Sequence, residues 1–533
     1  MLLQSSCFRD IQHSVEHHSR YQTQPISMDK LSSFARAPCL ARVGCLLAIS
    51  LLGIPSVALS QAAPTQNRPN VLFIAVDDLN DWLGCMDGYA GAKTPNLDRL
   101  AARGVLFQNA YCQAPLCGPS RASLMTGLRP STTGIYGMID DHNIREDNEV
   151  TADIVFLPEY FKQQGYRTMG IGKLFHEHAP DGLFDESGGR VKGFGPLPEE
   201  RFVWEGYGGE GYGRTSTDWG AYPAQDSLMP DHQSAQWATE RLQRTYDQPF
   251  FLAVGFLRPH VPLYVPQPWF DMYPTDQVAT PPYRADDLHD VPTVAHQIND
   301  LPMMPSTEWA IESGAWQDII QGYLACVSFV DAQVGAVLDA LNNSDYADNA
   351  IIVLWSDHGY RLGEKGTFAK HCLWEEATHA PLMMAGPGIP SSAVVREPVE
   401  LLSVYPTLLE LTGLPPYDRN EGRSLVPLIK GRETDSTWYA ITTFGMNNHG
   451  VRTKDYRYIR YEDGGEELYD HRVDPQEWNN VADKETYQSK KEQLQQYLPT
   501  VNTPWAQHSS YTFQPYFVEQ KERSDQAQES EGK

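Results

Sequence analysis

Two short runs limit what this chain can fold into. Val71-Leu72-Phe73-Ile74-Ala75-Val76, opened by Asn70, is continuously apolar and rich in β-branched side chains. Ala350-Ile351-Ile352-Val353-Leu354-Trp355 has the same character. Neither run alternates, so neither reads as a strand with one wet face. Each reads as a strand buried on both sides, the pattern of a parallel sheet covered by helices. Both runs stop on polar residues, Asp77-Asp78 after the first and Ser356-Asp357-His358 after the second. In open α/β sheets ligands sit beyond the carboxyl ends of the strands. The two polar clusters can therefore meet although about 280 residues separate them.

Helical patterns fill the space between. In TPNLDRLAARG, Thr94 can cap, Pro95 suits the first turn, and Leu97, Leu100 and Ala101 share a face. Gly104 is expected to end that helix in a left-handed cap. Tyr323 to Leu341 carries apolar residues at 323, 324, 327, 330, 334, 337, 338 and 341, a broad helical stripe. Strands alternating with helices predict an α/β fold with a large doubly wound mixed sheet flanked by helices. Residues 66–434 are expected to form that catalytic-sized domain. The stretch around 180–250, rich in Gly, Tyr, Trp and Asp, and the Pro-rich stretch around 265–320 read as surface excursions. Tyr456 to Tyr461 alternates like a strand, so 435–508 reads as a smaller C-terminal α+β subdomain. The polar residues 509–533 read as a disordered tail.

Residues 1–63 read as a leader. Val43 to Ile54 is an apolar run of 12 residues, preceded by Arg36 and Arg42 and followed by the small residues of SVALSQAA. It is short for a membrane span and has the parts of a secretory signal peptide, with Met28 a more usual starting point than Met1. This predicts an exported protein, periplasmic or secreted, without stable membrane insertion. A single glycosylation pattern, Asn342-Asn343-Ser344, favours a bacterial exported protein over a lysosomal one. Net charge of -26 disfavours nonspecific nucleic-acid binding. Of eight cysteines, Cys85, Cys112, Cys117, Cys326 and Cys372 lie beyond the leader. Five is odd, so at least one is unpaired or chemically used.

Three carboxylates from Asp77, Asp78 and Asp357 brought to one spot would repel unless a cation joined them. A hard divalent cation with oxygen ligands meets that need, with His358 adding a nitrogen. Taken alone, either cluster could equally cap a turn. Cys117 opens the stretch CGPSRASLMTG, with Pro119 suited to a first helical turn. Helix N-termini favour anions and lower a cysteine's pKa, and Arg121 lies one turn on.

The C-x-P-S-R of Cys117 to Arg121, followed by Thr126-Gly127, resembles the signature of the type I sulfatases, in the alkaline phosphatase superfamily. The resemblance runs over about 68–505, through Asp77-Asp78, Gly172-Lys173-Leu174-Phe175-His176, Arg258-Pro259-His260, Asp357-His358-Gly359 and Lys370, in the family's order. It implies an alkaline-phosphatase-like fold and a sulfuric ester hydrolase. It also implies oxidation of Cys117 to formylglycine by a formylglycine-generating or anaerobic maturating enzyme. The hydrated aldehyde has two hydroxyls. One attacks sulfur, and loss of the other's proton lets the adduct collapse by C–O cleavage, so one hard step becomes two easier ones.

By the same resemblance Asp77, Asp78, Asp357, His358 and modified Cys117 hold one divalent metal, Ca²⁺ in first place and Mg²⁺ second. Arg121 orients the hydrate, and Lys173 and Lys370 hold sulfate oxygens. His176 takes the proton as the aldehyde reforms, and His260 donates to the leaving oxygen, shared with Lys370. Taken one at a time, these lysines and histidines would pass for surface or core residues; their order carries the inference. His178, His371 and His379 read as structural, with His371 close enough to Lys370 to line the site.

GKLFH, FLAVGFLRPHVPL and SDHGYRLGEKGTFAKH are most similar to the iduronate-2-sulfatase branch, which implies a terminal 2-O-sulfated uronic acid in a glycosaminoglycan-like glycan. Trp204, Tyr207, Tyr212, Trp219 and Tyr222 could stack on sugar rings, or simply pack their own loop. No cysteine falls between 118 and 325, so a loop disulfide of the mammalian branch is absent. Other sulfated polysaccharides or aryl sulfates remain alternatives. A phosphatase or phosphodiesterase of the superfamily is disfavoured by Cys117 and a single metal set.

Overall fold

The computed structural model describes residues 68–190, 194–202, 217–432 and 437–531. The leader, with its signal-peptide reading, and Trp204, Tyr207 and Tyr212 lie outside the described residues. The two apolar runs are the strands β1 (Asn70–Val76) and β6 (Ala350–Ser356), every residue of both buried. They pair in parallel, Val76 opposite Ser356. Between them in the chain come β2 (Val105–Phe107), β3 (Arg167–Gly172), β4 (Glu186–Gly189) and β5 (Phe250–Phe256), with β7 (Leu382–Ala385) and β8 (Ala393–Val395) after. The sheet order is β8-β2-β7-β6-β1-β5-β3-β4, all eight strands in one sheet. β7 runs antiparallel to both its neighbours, which makes the sheet mixed, as expected.

One face of the sheet is covered by α1 (Pro95–Arg103), α3 (Pro230–Leu242) and α4 (Trp316–Asn342), where Leu72, Ile74 and Val76 meet Leu97, Ala238, Tyr323 and Val330. The alternate residues Val71, Phe73 and Ala75 face the other way, into a second core with Leu124 and Met125 of α2 (Cys117–Thr126) and Leu408. Among the described residues α4 is the helix long and apolar enough to cross a membrane, but it is mostly buried within the protein. It extends seven residues before the predicted start at Tyr323.

Three expectations change. Gly104 follows α1 with φ −140°, not in the left-handed region. It is there for space: a Cβ would lie 2.1 Å from the Met384 carbonyl oxygen of β7. The 180–250 stretch is not all excursion, since α3 packs Ala235, Ala238 and Leu242 into the core, and Trp219 is buried there too. Trp219 is therefore a packing residue and not a free sugar platform. The segment expected to be a disordered tail instead forms α5 (Pro515–Glu531). Tyr511, Tyr516 and Phe517 bury against Phe444, Trp505 and Tyr469, so a few aromatics anchor an otherwise polar segment. A second sheet of β9 (Ala440–Thr443), β10 (His449–Arg452), β11 (Tyr456–Arg460) and β12 (Glu466–Asp470) is antiparallel throughout.

Candidate active site

Four adjacent parallel strands, β6, β1, β5 and β3, end side by side and deliver the polar residues together. Beyond β1 come Asp77 and Asp78, and beyond β6 come Asp357 and His358. The turn after β5 carries Arg258 and His260, and β3 runs into Lys173. The Asp357 N–H donates to the Val76 carbonyl at 3.3 Å and the Asp78 N–H to Asp357 Oδ1 at 3.2 Å, which knits the first two strand ends. Asp78 has φ +60°, a conformation tolerated by Asp but uncommon outside glycine. Tyr323 of α4 fixes that turn, donating to the Asp78 carbonyl at 2.8 Å and accepting from the Asn80 N–H at 2.9 Å. Glycines bring Lys173 in: a Cβ on Gly172 would meet the Gly255 carbonyl oxygen at 2.0 Å.

Helix α2 aims its first residue at this point. Its N-cap is Leu116, with no side-chain cap, and Gly127 ends it in the left-handed conformation at φ +76°. Cys117 is 1% exposed. Its Sγ lies 3.3 Å from His358 Nε2, 3.3 Å from Lys370 Nζ and 3.9 Å from Asp78 Oδ1. One turn on, the fully buried Arg121 donates to Asp357 Oδ2 at 2.8 Å and to Asp77 Oδ1 at 3.3 Å. Lys173 Nζ pairs with Asp77 Oδ2, and Lys370 Nζ with Asp78 Oδ1 at 2.6 Å. Three cations thus face three carboxylates.

The histidines are oriented by backbone carbonyls. His358 Nδ1 contacts the Gly359 oxygen at 2.9 Å, which turns Nε2 toward Cys117. His260 Nδ1 contacts the Val261 oxygen at 2.7 Å, which leaves Nε2 4.0 Å from Asp78 Oδ2. Phe194 stacks on the His260 ring at 5.2 Å between centroids. His176 is half-buried, with Nδ1 enclosed and unpartnered.

Charge and burial compete throughout. Burial raises Asp78 to about 7 despite Lys370, with Cys117 and Asp77 adding to the rise. Burial pushes Asp77 the same way, but Lys173, His260 and Arg121 together draw it well below the usual carboxylate range. Burial and Asp77 would raise the Cys117 thiol, and Lys173 and Lys370 win, leaving it below its usual value. Burial works against a charged His358, yet Asp357 and Cys117 lift it to about 9. Burial and then Lys370 push His260 far down, and burial and then Lys173 bring His176 to about 3.

The donor set fits a hard divalent cation. Single donor atoms of Asp77, Cys117, Asp357 and His358 all lie within 4.8 Å of one another, as do those of Asp77, Asp78, Cys117 and His260. Asp78 Oδ2 is buried without a hydrogen-bond partner, an orphan acceptor that a cation would satisfy. Every site residue named from sequence converges here except His176, which is tied to the cluster by charge, through Lys173 and Asp77, and not by a direct bond. The described cysteines are all free.

Sequence reasoning missed two groups. Arg190 has its charge felt by Asp77 and Cys117 and donates to the Glu177 carbonyl at 3.2 Å. Buried Asp141 accepts from the Glu177 and His178 N–H groups, shaping the loop after His176. Neither carries a motif; in the sequence Arg190 is one of two cations, with Lys192, in a glycine-rich stretch.

Comparison with known proteins agrees with this geometry. A family model described as Sulfatase matches residues 69–414, and one described as N-sulphoglucosamine sulphohydrolase, C-terminal, matches 363–503. A protein named Sulfatase from Formosa agariphila is 62% identical, over 90% of this chain and 96% of its own. Iduronate 2-sulfatase of Mus musculus is 34% identical, over 68% of this chain and 73% of its own. A solved structure described as a 2-O GAG sulfatase superposes with TM-score 0.60 at 24% identity, covering 80% of this chain and 90% of that one. Its likeness speaks to the fold, which is that of the alkaline-phosphatase-like sulfatases.

Proposed function

This chain belongs to the sulfatase family, and from that premise we propose that it removes the 2-O-sulfate of a terminal uronic acid from a sulfated glycan. Hydrolysis of sulfate esters follows from family membership. The uronate is supported by the likeness to iduronate 2-sulfatase over two thirds of the chain. The observation that carries the reading is Cys117 at the open start of α2, 3.3 Å from both His358 Nε2 and Lys370 Nζ and facing three carboxylates. Its Sγ stands in for the oxygen of the formylglycine hydrate.

In the modified, metal-loaded protein Asp77, Asp78, Asp357, His358 and residue 117 would hold one divalent cation, Ca²⁺ before Mg²⁺, which supplies charge stabilisation and an acidified nucleophilic oxygen. The other residues do the remaining work. Arg121 fixes the orientation of Asp77 and Asp357 and balances their charge. Lys173 and Lys370 offer ammonium groups to sulfate oxygens as negative charge shifts toward the leaving group. Lys370 and the free Nε2 of His260 share the proton that the leaving sugar oxygen needs. His176, half-buried and neutral, is the base that accepts a proton when residue 117 is regenerated. The protein would be exported to the periplasm or beyond the cell, and would meet a formylglycine-generating or anaerobic maturating enzyme.

The test is sulfate release from a panel, using protein whose Cys117 peptide mass confirms the aldehyde, with Cys117→Ala as control. Release from a terminal 2-O-sulfated uronate disaccharide is expected. Release only from a 6-O-sulfated hexosamine would discard the uronate and keep the chemistry. Release of phosphate from a matching ester without any sulfate release would overturn both.

A further inference from the structure

The residues after 503 lie beyond both matched family regions, yet they run along the catalytic centre. Ser510 exchanges two backbone hydrogen bonds with Met138, each 2.8 Å, and the Gly137 N–H donates to Ser509 Oγ at 2.9 Å. Met138 packs on Gly118, beside Cys117: a Cβ on Gly118 would meet Met138 Sδ at 3.0 Å. Ser510 is followed by Tyr511, whose hydroxyl lies 2.5 Å from His371 Nε2. The two rings stack at 5.4 Å between centroids, and the residues are 5% and 2% exposed.

His371 directly follows Lys370 and holds φ at +37°, a left-handed conformation that residues with side chains avoid. Something must hold that turn. Arg361 grips one side of it, donating to the Ala369 and Lys370 carbonyls at 3.0 Å each. Tyr511 grips the other, through the imidazole. Between the two grips, Lys370 Nζ reaches Asp78 Oδ1 at 2.6 Å and Cys117 Sγ at 3.3 Å.

We propose that Tyr511 is a positioning residue of the sulfatase centre: its hydroxyl fixes His371, and the turn so fixed sets Lys370 over residue 117. The segment 503–517 is on this view part of the active site. Its outer end is anchored by Phe517 against Phe444, Trp505 and Tyr511. The kinetic half of the inference rests on the sulfatase reading; the geometric half does not.

The test uses Tyr511→Phe, which keeps the stacked ring and removes only the hydroxyl, together with His371→Gln and the double variant. All are made in the full-length, aldehyde-confirmed protein. A shift of Lys370 by about 0.5 Å is enough to impair a preorganised centre. With the panel substrate that the parent protein cleaves, kcat should fall about tenfold with KM within about twofold. The urea midpoint of Tyr511→Phe should fall only modestly, as for the loss of one buried hydrogen bond with the stacked ring kept, and the double variant should lose no more activity than the worse single, since the pair acts as a unit. Crystal structures of the parent and Tyr511→Phe proteins should show Lys370 Nζ displaced from residue 117. Lys370 unmoved, additive losses, or a fall in KM-controlled binding alone would overturn the proposal. If the parent releases no sulfate, the sulfatase reading fails, and the position of Lys370 still decides the role of Tyr511.

Discussion

Replacing Arg121 by methionine keeps the reach of the side chain and removes its charge. The guanidinium is fully buried and donates to Asp357 Oδ2 at 2.8 Å and Asp77 Oδ1 at 3.3 Å, and also to the Lys173 carbonyl. Breaking a buried pair by removing one partner costs about 3–5 kcal/mol, because the other charge is left in low dielectric. Asp77 keeps Lys173, and Asp357 keeps the Asp78 N–H at 3.2 Å and His358 Nε2 at 3.7 Å, so the lower end, about 3 kcal/mol, is expected in chelator. That is more than a hundredfold in the ratio of folded to unfolded protein. A divalent cation on Asp77 and Asp357 would itself supply compensating charge, so in saturating Ca²⁺ the loss should shrink to about 1–2 kcal/mol. Urea unfolding of parent and variant, each with chelator and with Ca²⁺, reads all four values. Sulfate release should fall by about 10²–10³ even with metal present, because a misaimed cluster cannot stabilise the transition state. Equal losses with and without metal, or a loss below about 0.5 kcal/mol in chelator, would refute the idea that Arg121 and a cation share the same carboxylates.

Asp141 should make stability pH-dependent, because burial pushes it up to about 7 against the N–H bonds from Glu177 and His178. An acid raised in the folded state binds a proton there that the unfolded chain has lost, so its stabilising share is present near pH 4 and is lost as pH rises to about 7. Asp141→Asn should therefore be more stable than the parent at pH 8, by an amount on the order of 2 kcal/mol that vanishes near pH 4, as read by urea midpoints across pH. Gly104→Ala drives a Cβ against the β7 backbone and should destabilise by about 1–3 kcal/mol in calorimetry, whereas an unchanged transition would mean that α1 and β7 can separate freely. Lys173→Ala should lower kcat by about 10²-fold or more with little change in the unfolding midpoint in saturating metal, and unaffected turnover would remove Lys173 from the sulfate site.

The legible parts of the fold were those where one physical demand acts alone. β1 and β6 are buried on both faces, so their composition announces them, and the acidic residues that end them mark the site because strand ends in parallel register must lie together. Gly104 misled because a glycine after a helix serves either a left-handed turn or a close approach, and only the neighbouring strand decides. α3 was hidden because its apolar face is made of Ala235, Ala238 and a single leucine, small residues with a weak periodic signal. α5 was hidden by its charge and glutamine content, although three aromatics at 511, 516 and 517 suffice to dock it. His371 was read as structural since its meaning depends on Tyr511, which lies 140 residues further along the chain.

Cys117 is enclosed by groups that are made late. His358 and Lys370 lie 241 and 253 residues after it in the chain. At a synthesis rate of ~5–20 residues per second, they emerge some ~12–50 s later. Until then neither β6 nor the Lys370 turn exists, and the segment around Cys117 can lie extended in the cleft of another protein. Once they are in place, the thiol is closed off at 1% exposure. Any enzyme that oxidises this side chain therefore works against a clock set by translation, and export of the unfolded chain would lengthen the interval. Were Cys117 oxidised in this way, the share of active molecules would be a ratio of two rates, oxidation against folding. A mutation that speeds folding of β6 onto β1 would lower activity per molecule without touching a single catalytic group.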